Sequence, residues 1–249
     1  MENIELSFNL PLSGKDIARG LRLPLSLSPE LAYLSGILIG DGSICYREDR
    51  KDYVLSCVGN PRDEQPLYHM VIGPIFQRLF GFTPNFKLHN RKTTFGFTLH
   101  SKTLFRYFTE VLGLCHGKKE QQLGIPPIFR QSQSVIIPLI RGIFDTDGCI
   151  SFKRKYRTEP YYPVINLSSK SKKLVTEVAA MLKELGFSVV ETYDYRVPDE
   201  RTKNGFTVIN RIELNGQKNF RRWIEQIGFW SPKHLEKIKR SGKNSGGWI

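Results

Sequence analysis

Two aspartates occupy the same position in two similar stretches of the sequence, each at the end of an apolar segment. The stretches are LSGILIGDGSI at residues 34–44 and IRGIFDTDGCI at residues 140–150, and their aspartates are Asp41 and Asp147. One Asp-Gly pair after an apolar segment is typical of an ordinary turn. Two copies in one chain instead indicate that a whole unit has been duplicated.

Paired carboxylates could carry out metal-dependent chemistry if the duplicated helices packed against each other about a pseudo-twofold axis. Asp41 and Asp147 would then lie side by side, each near the negative end of a helix dipole, and would repel each other unless cations lay between them. Mg²⁺ fits this site because it prefers oxygen ligands and keeps several waters. Such ions could activate water and stabilise the 3′ oxygen that leaves in phosphodiester hydrolysis. Small residues that would allow the close helix contact are Gly36 and Gly40 in the first copy and Gly142 and Thr146 in the second.

The sequence around each aspartate predicts the helix that positions it. Ser28 is a favourable N-cap and Pro29 suits the first helical position, so the first helix should begin there. The second helix should begin near Ser134, with Pro138 in or near its first turn, where a missing N–H is tolerated.

Glycines downstream of the two aspartates support the duplication. Gly81 follows Asp41 by 40 residues and Gly186 follows Asp147 by 39, and each ends a predicted helix before a phenylalanine. Both copies predict the same order of elements, namely a helix, two strands, a helix, two strands and a helix.

A second pair of glycines shows where the two copies differ in length. Gly113 and Gly228 end the last helix of each copy, 72 and 81 residues after the respective aspartate, and the nine extra residues fit an elongated hairpin tip at 195–205. The predicted divisions are an N-terminal segment at 1–28, a first half at 29–133, a second half at 134–240 and a flexible tail at 241–249.

Composition restricts the classes of partner. The 249 residues carry a net charge of +13, which indicates a polyanionic partner. The sequence has neither an apolar run of the ~18 residues that a spanning helix needs nor a signal pattern at its start, so we expect no membrane association. The expected compartment is the cytoplasm, with a prokaryotic host favoured, or a nucleus. The four cysteines form no Cys-x-x-Cys pair, so we expect reduced thiols and no structural zinc.

Both stretches resemble the nine-residue signature of the LAGLIDADG homing endonucleases, in the single-chain form with two copies. The resemblance covers Ser28 to about Arg240. It implies an α+β fold of two pseudo-symmetric αββαββα halves, each with a four-stranded antiparallel sheet forming part of a DNA-binding saddle, and signature helices packed at the interface. It also implies a monomer that serves intron homing by making a double-strand break, with short 3′ overhangs, in a long asymmetric DNA target.

The same resemblance assigns the metal site. The eighth signature positions, Asp41 and Asp147, are the expected catalytic and metal-binding acids, and Gly40 and Thr146 before them are assigned to the same site. The sixth position holds Asp145 in one copy and Ile39 in the other, so no metal role is given to it. The expected cofactor is Mg²⁺, with Mn²⁺ able to substitute and Ca²⁺ supporting binding without cleavage.

Further site residues follow from counting along each half. A basic residue lies near the pocket in family members, and Lys118 and Lys233 each stand five residues after a matched glycine, with Lys119 an equal candidate in the first half. Lysine there could stabilise charge that develops on the phosphate, although each could equally be a solvated surface residue. Pocket polar residues are assigned to Asn60 and Ser169.

The predicted hairpins carry the candidate DNA contacts, because a two-stranded ribbon fits the major groove and alternate side chains face the bases. The other interpretation is that these are charged exposed positions that discourage edge pairing. The residues are Arg47, Lys51, Lys87, His89, Arg91, Lys92, Lys153, Arg154, Lys155, Arg157, Tyr193, Tyr195, Arg196, Arg201, Lys203 and Arg211.

Two other functions stay open on this sequence. An RNA maturase that assists intron splicing, with the host intron RNA as partner, would use the same fold. A non-catalytic DNA-binding regulator is less favoured, since binding alone needs no carboxylate pair. An intein is also disfavoured, because the sequence starts at Met1 without a nucleophile and ends in Ile249 without a terminal Asn. The role of residues 1–28 is left open.

Overall fold

The computed structural model describes residues 4–118, 123–154 and 161–244, without the side chains of the last three. The chain divides into two compact units. The first unit comprises Met1–Gly117, Pro126–Thr146 and Trp230–Lys233, and the second comprises Lys118–Ile125, Asp147–Phe229 and His234–Ile249. Within the described ranges, no helix combines the length and the apolar character needed to cross a membrane.

The first unit contains a four-stranded antiparallel sheet, preceded by a small two-stranded one. Its elements are β1 (Ile4–Glu5), α1 (Gly14–Ala18), β2 (Ser26–Leu27), α2 (Pro29–Gly40), β3 (Gly42–Arg47), β4 (Asp52–Gly59), α3 (Gln65–Leu67), α4 (Gly73–Phe80), β5 (Lys87–His89), β6 (Thr94–His100), α5 (Lys102–Arg106) and α6 (Gln133–Thr146). A π-helical turn, Tyr68–Ile72, joins α3 to α4, and another, Tyr107–Val111, extends α5. The strand order of the larger sheet is β3-β4-β6-β5.

The second unit repeats this arrangement. Its elements are β7 (Gly148–Lys153), β8 (Tyr162–Ser169), α7 (Lys172–Glu184), β9 (Val189–Pro198), β10 (Phe206–Asn215), α8 (Gly216–Gln226) and most of α9 (Pro232–Asn244). The strand order β7-β8-β10-β9 matches that of the first sheet. The predicted α+β fold of two αββαββα halves with antiparallel four-stranded sheets is therefore confirmed.

Helix α2 begins where the sequence predicts. The hydroxyl of Ser28 accepts a hydrogen bond from the backbone N–H of Leu31 at 3.2 Å, and Pro29 is the first helical residue. All residues from 31 to 39 are buried, as expected of a helix that is apolar on every side.

Helix α6 differs from the prediction in one detail. It begins at Gln133, so Pro138 lies in its second turn rather than in or near its first. Pro138 is buried, and it removes one N–H from the helix ladder.

The four matched glycines all end helices in the left-handed conformation that glycine adopts without strain. Their φ angles are +83° at Gly81, +84° at Gly186, +73° at Gly113 and +68° at Gly228. These helix ends are therefore confirmed as corresponding points of the two copies.

Each sheet has one covered face and one open face. In the first sheet, Ile44, Leu55 and Phe97 are fully or almost fully buried on the face that packs against the helices. Ser56 and Thr98, which are paired neighbours on the other face, are only partly buried. In the second sheet, the ten-residue strands β9 and β10 form the elongated hairpin predicted around 195–205, with pairing that passes a bulge at Asn210 and continues to Phe206 and Pro198.

The N-terminal segment covers part of the first unit. Asp16 is fully buried, and its carboxylate accepts hydrogen bonds from the hydroxyls of Ser13 at 2.6 Å and Thr103 at 3.1 Å. Leu21 and Leu27 are also buried. Segment 1–28 thus contributes to the core of that unit.

Candidate active site and nucleic-acid interface

Helices α2 and α6 touch through two glycines inside the first unit. A Cβ added at Gly36 would lie 2.2 Å from the carbonyl oxygen of Leu139, and one added at Gly142 would lie 2.2 Å from the carbonyl oxygen of Tyr33. Leu139 corresponds to Tyr33 in the duplication, so the contacts are reciprocal. Reciprocal contacts are what a twofold relation between two elements produces.

Each catalytic aspartate candidate follows the end of one of these helices. Asp41 caps α2, with its backbone N–H bonded to the carbonyl of Ile37 at 3.1 Å, and Asp147 is the residue after α6. Both are partly buried. Gly40 is the last residue of α2, and Thr146 ends α6 with its hydroxyl bonded to the carbonyl of Gly142 at 3.1 Å.

A buried glutamate that no sequence motif indicates lies near Asp41. Glu64 is 6% exposed, and its Oε1 accepts a hydrogen bond from Nζ of Lys233 at 2.6 Å. Its Oε2 accepts one from the backbone N–H of Asn60 at 2.8 Å. This arrangement could not be predicted from a local pattern, because Glu64 belongs to no motif and its lysine partner is 169 residues away.

Gly59 brings the two acidic side chains to one place. The Cβ position of a residue there would be 1.7 Å from Oε2 of Glu64 and 3.6 Å from Oδ2 of Asp41. Burial raises the pKa of Tyr68 strongly, Cys57 raises it further, and Asp41 and Glu64 add smaller effects of the same sign. This corner of the first unit therefore concentrates negative charge, with Lys233 as the counter-charge.

Asp145, to which the sequence assigns no metal role, makes buried hydrogen bonds inside the first unit. It is fully buried, and its Oδ2 accepts hydrogen bonds from the Tyr33 hydroxyl at 2.8 Å and the Trp230 backbone N–H at 3.0 Å. Arg141 stacks over the Trp230 ring at 4.6 Å. Burial raises the pKa of Asp145 to about 6, although these hydrogen bonds and Arg141 oppose the rise. The cluster holds the residues just before α9, the helix that carries Lys233.

The other residues predicted to lie near the pocket are Lys118, Lys119, Asn60 and Ser169. Lys118 is exposed, and Lys119 lies outside the described residues. Asn60 is exposed, and its side-chain oxygen accepts from the backbone N–H of Arg62 at 2.9 Å. Ser169 ends β8, and its hydroxyl oxygen accepts from the backbone N–H of Ser171 at 3.2 Å.

In the first unit, the strand candidates for DNA contact lie on the open face. Lys87 pairs with Gly96 and His89 with Thr94, which places their side chains on the same face as Thr98. Arg47 ends β3 on that face and is exposed. Candidates in the turns are also exposed, namely Lys51, Arg91 and Lys92.

In the second unit, the candidates divide between the two faces. Arg211 lies on the open face with its guanidinium 5.9 Å from the Tyr195 ring centre, and Lys153 shares that face, 3.9 Å from Glu213. Tyr193 instead donates its hydroxyl to Glu191 on the helix side.

Other candidates of the second unit lie towards the ends of its strands. Arg196 stacks on Phe206 at 4.8 Å, and Arg201 pairs with Asp199 at 2.8 Å in the turn between β9 and β10. Arg154 and Lys203 are exposed, and Lys155 and Arg157 lie outside the described residues.

Among the described residues, no group of three or more His, Cys, Asp and Glu side chains is arranged to hold a metal ion. The four cysteines form no disulfide.

Comparison with known proteins agrees with this architecture. Residues 134–228 match the model of the LAGLIDADG-like domain. The structure is similar to that of I-DmoI in complex with DNA and Ca, with a TM-score of 0.57, 18% identity, and coverage of 86% of this chain and 98% of that one. It is also similar to the LAGLIDADG homing endonuclease I-GzeII in complex with its DNA target, with a TM-score of 0.55, 11% identity, and coverage of 89% and 92%.

Two curated relatives come from Methanocaldococcus jannaschii. A glutamine–fructose-6-phosphate aminotransferase is 22% identical over 219 residues, which are 88% of this chain and 18% of the relative. A reverse gyrase is 28% identical over 173 residues, which are 69% of this chain and 9% of the relative. The chain thus spans less than a fifth of the length of these relatives. Residues 134–228 thus match a LAGLIDADG-like domain, and the chain shares its fold with I-DmoI and I-GzeII.

Proposed function

We propose that the chain is a DNA endonuclease that makes a site-specific double-strand break by hydrolysis of phosphodiester bonds. The observation that carries this proposal is the reciprocal contact of Gly36 and Gly142, because each glycine stands five residues before a candidate catalytic acid, Asp41 or Asp147. Core packing alone would not require an acid at both of these positions. The similar structures of I-DmoI and I-GzeII were both solved in complex with DNA, which supports DNA as the substrate.

The donor set fits Mg²⁺. Carboxylates of Asp41 and Asp147 are hard oxygen ligands, and the small number of protein donors suits an ion that keeps water and phosphate oxygens in its shell. We propose these two acids as the metal ligands, with Gly40 and Thr146 in the same site and with Mn²⁺ able to replace Mg²⁺. Related structures were solved with Mn, Ca or Mg. When bound, the ions would supply an activated water and charge stabilisation at the reacting phosphate.

The chain's own residues would orient the substrate and balance its charge. Lys233 places an ammonium beside Glu64 in the corner that contains Asp41, where it could stabilise negative charge developing on a phosphate oxygen. Lys118 is proposed for the same role in the other half. The nearby acids would make the corner unfavourable for a phosphate until cations are present.

The open sheet faces are the proposed DNA-binding surfaces. Lys87, Arg47 and Arg211 lie on these faces and would mostly contact phosphates, which take half to two-thirds of protein–DNA hydrogen bonds. The two faces carry different residues, so the target should be long and asymmetric. Action as a monomer in intron homing, with short 3′ overhangs, completes the proposal.

The decisive experiment compares wild type with Asp41→Asn and Asp147→Asn. Double-stranded targets are first selected from a randomised library by binding in Ca²⁺, and cleavage is then measured in Mg²⁺ with EDTA as a blank. Both variants should bind with little change and lose cleavage by about 1000-fold or more, since charge on the metal ligands is removed. Glu110→Gln, which changes an exposed acid paired with Arg106, is the control and should cut normally. Normal cutting by either aspartate variant would refute the assignment.

A further inference from the structure

Glu64 is a buried acid that occurs in one half of the duplication alone. It lies in the loop between β4 and α3, which runs from 60 to 64. The corresponding connection between β8 and α7 consists of Lys170 and Ser171, with no acid. The two halves therefore differ in this buried acid.

Both oxygens of the Glu64 carboxylate are held. Oε1 receives the Lys233 ammonium at 2.6 Å, and Oε2 receives the Asn60 backbone N–H at 2.8 Å. The glutamate side chain is 8% exposed and the lysine side chain 18% exposed. Charge-assisted hydrogen bonds are strong in such a poorly solvated place. A lysine has a flexible four-carbon stem, so a fixed carboxylate is what selects one position for its ammonium.

The backbone leaves room for this arrangement at one point. Gly59 has no side chain, and a Cβ there would overlap Oε2 of Glu64 at 1.7 Å, with Oδ2 of Asp41 at 3.6 Å. The carboxylate that binds Lys233 therefore lies against the same backbone position as the proposed metal ligand Asp41. Lys118, the counterpart of Lys233, makes no ion pair with any residue that the structure describes.

We infer that Glu64 is a positioning residue that holds the Lys233 ammonium beside Asp41, and that this makes the two strand cleavages unequal in their dependence on the protein. The inference rests on the proposed nuclease function. Removing the charge of Glu64 while keeping its shape frees Lys233, and only the cleavage that uses Lys233 should slow. DNA affinity in Ca²⁺ should stay nearly the same, because Glu64 is buried and both of its carboxylate oxygens are bound within the protein.

The test uses Glu64→Gln, with Asp63→Asn as a matched control that removes an exposed acid from the adjacent position. The substrate is a target selected by the wild type, with a different fluorophore on each strand, and the reaction is run under single-turnover conditions. Glu64→Gln should slow one strand about 10- to 100-fold more than the other and accumulate nicked DNA, since misplacing one polar catalytic group costs rates of this order. Asp63→Asn should match wild type. Equal slowing of both strands, or none, contradicts the inference.

A double variant distinguishes positioning from an independent role. If Glu64 acts through Lys233, then Glu64→Gln should add nothing to the loss caused by Lys233→Met. If the rate losses of the two single variants instead multiply in the double variant, the glutamate acts independently of Lys233. The inference is then wrong even though both residues matter. Thermal unfolding of each variant identifies losses that come from instability.

A measurement without DNA tests the geometry by itself. Trace labelling with an amine-reactive reagent, mapped by mass spectrometry, should modify Lys233 about 3-fold or more faster in Glu64→Gln than in wild type or Asp63→Asn, since the ammonium loses a buried partner. Unchanged labelling would refute the positioning role whether or not the chain is a nuclease. If labelling changes but wild type cuts no selected DNA, the proposed nuclease function fails, and with it the part of the inference that concerns strand cleavage.

Discussion

The Tyr33 hydroxyl donates a 2.8 Å hydrogen bond to the carboxylate of Asp145, joining α2 to α6 in the core of the first unit. The same carboxylate oxygen accepts from the Trp230 backbone N–H at 3.0 Å. One buried acid thus connects three segments that are far apart in sequence. Ionisation of the Asp145 carboxyl should therefore change the stability of the fold.

Asp145 should make stability fall as the pH rises from about 4 to 6. Its pKa is about 6 in the folded chain and 3.8 for the ordinary group, so between these values the folded state binds more protons than the unfolded state. Stability then decreases with rising pH, by up to about 3 kcal/mol for a shift of this size. Asp145→Asn should remove this contribution.

Chemical denaturation of wild type and Asp145→Asn between pH 4 and 7, with EDTA present, measures the difference. The free energy of unfolding of Asp145→Asn relative to that of wild type should increase as the pH rises from about 4 to 6. Asp199→Asn, at a partly buried acid whose pKa is lowered by its hydrogen bond with Arg201, should show no such loss of stability with rising pH in this window. Parallel curves for wild type and Asp145→Asn would contradict the buried ionisation.

The contact between α2 and α6 should tolerate no side chain at either glycine. Gly36→Ala and Gly142→Ala each place a Cβ 2.2 Å from a backbone oxygen, so the helices must separate. We expect a loss of about 3 kcal/mol or more, at the upper end of overpacking, because backbone rather than a flexible side chain must move. Urea unfolding measures it.

Gly14→Ala is the matched control for these helix variants. No atom lies within 4 Å of the Cβ position at Gly14, which is also helical, so the change should be neutral or slightly stabilising. Equal stability of Gly14→Ala and Gly36→Ala would mean that the helices are not in close contact.

Helix starts and helix ends that depend on capping and local backbone preference could be predicted from the sequence. Ser28 and Pro29 define the start of a helix through capping, and Gly81 and Gly186 define helix ends through their left-handed backbone. Because these signals repeat at matched spacing, the order of elements in both halves followed from them.

Features that depend on distant partners could not be read in this way. Glu64 is one polar residue in a loop, and nothing local distinguishes it from Asp63, which is exposed. Its burial follows from Lys233 and Gly59, which the fold brings to it. The hydrogen bond of the Tyr193 hydroxyl to Glu191 could not be predicted either. A β-bulge opposite Asn210 shifts the register of β9 at this point, and the local sequence does not indicate it.

In the turn between β5 and β6, we expect that one substitution raises the stability of the chain and weakens its binding to DNA. Asn90, Arg91 and Lys92 are all left-handed, with φ angles of +47°, +54° and +69°. Such a conformation costs a residue with a side chain about 1 kcal/mol or more. Arg91→Gly should therefore raise the free energy of unfolding by roughly that amount, yet weaken binding to a selected target.

Arg50→Gly is the comparison for that turn, because Arg50 is also exposed and basic in a hairpin turn but is not left-handed. It should not stabilise the chain. Calorimetry and a binding titration in Ca²⁺ give both quantities for each variant. A drop in stability for Arg91→Gly would show that its backbone is not strained.

Basic residues on the open sheet faces should contribute to DNA binding through phosphates, so their effect should depend on salt. Lys87→Ala and Arg211→Ala should each lower the slope of log affinity against log salt concentration by about 0.9, since each contact releases roughly one counterion from the duplex. Arg78→Ala is the control, because Arg78 pairs with Glu30 at 2.7 Å on the helix side. Titrations of a selected target at several KCl concentrations in Ca²⁺ distinguish the two groups. An unchanged slope for both open-face variants would place the DNA elsewhere, whereas a fall for Arg78→Ala as well would point to an unspecific effect of net charge.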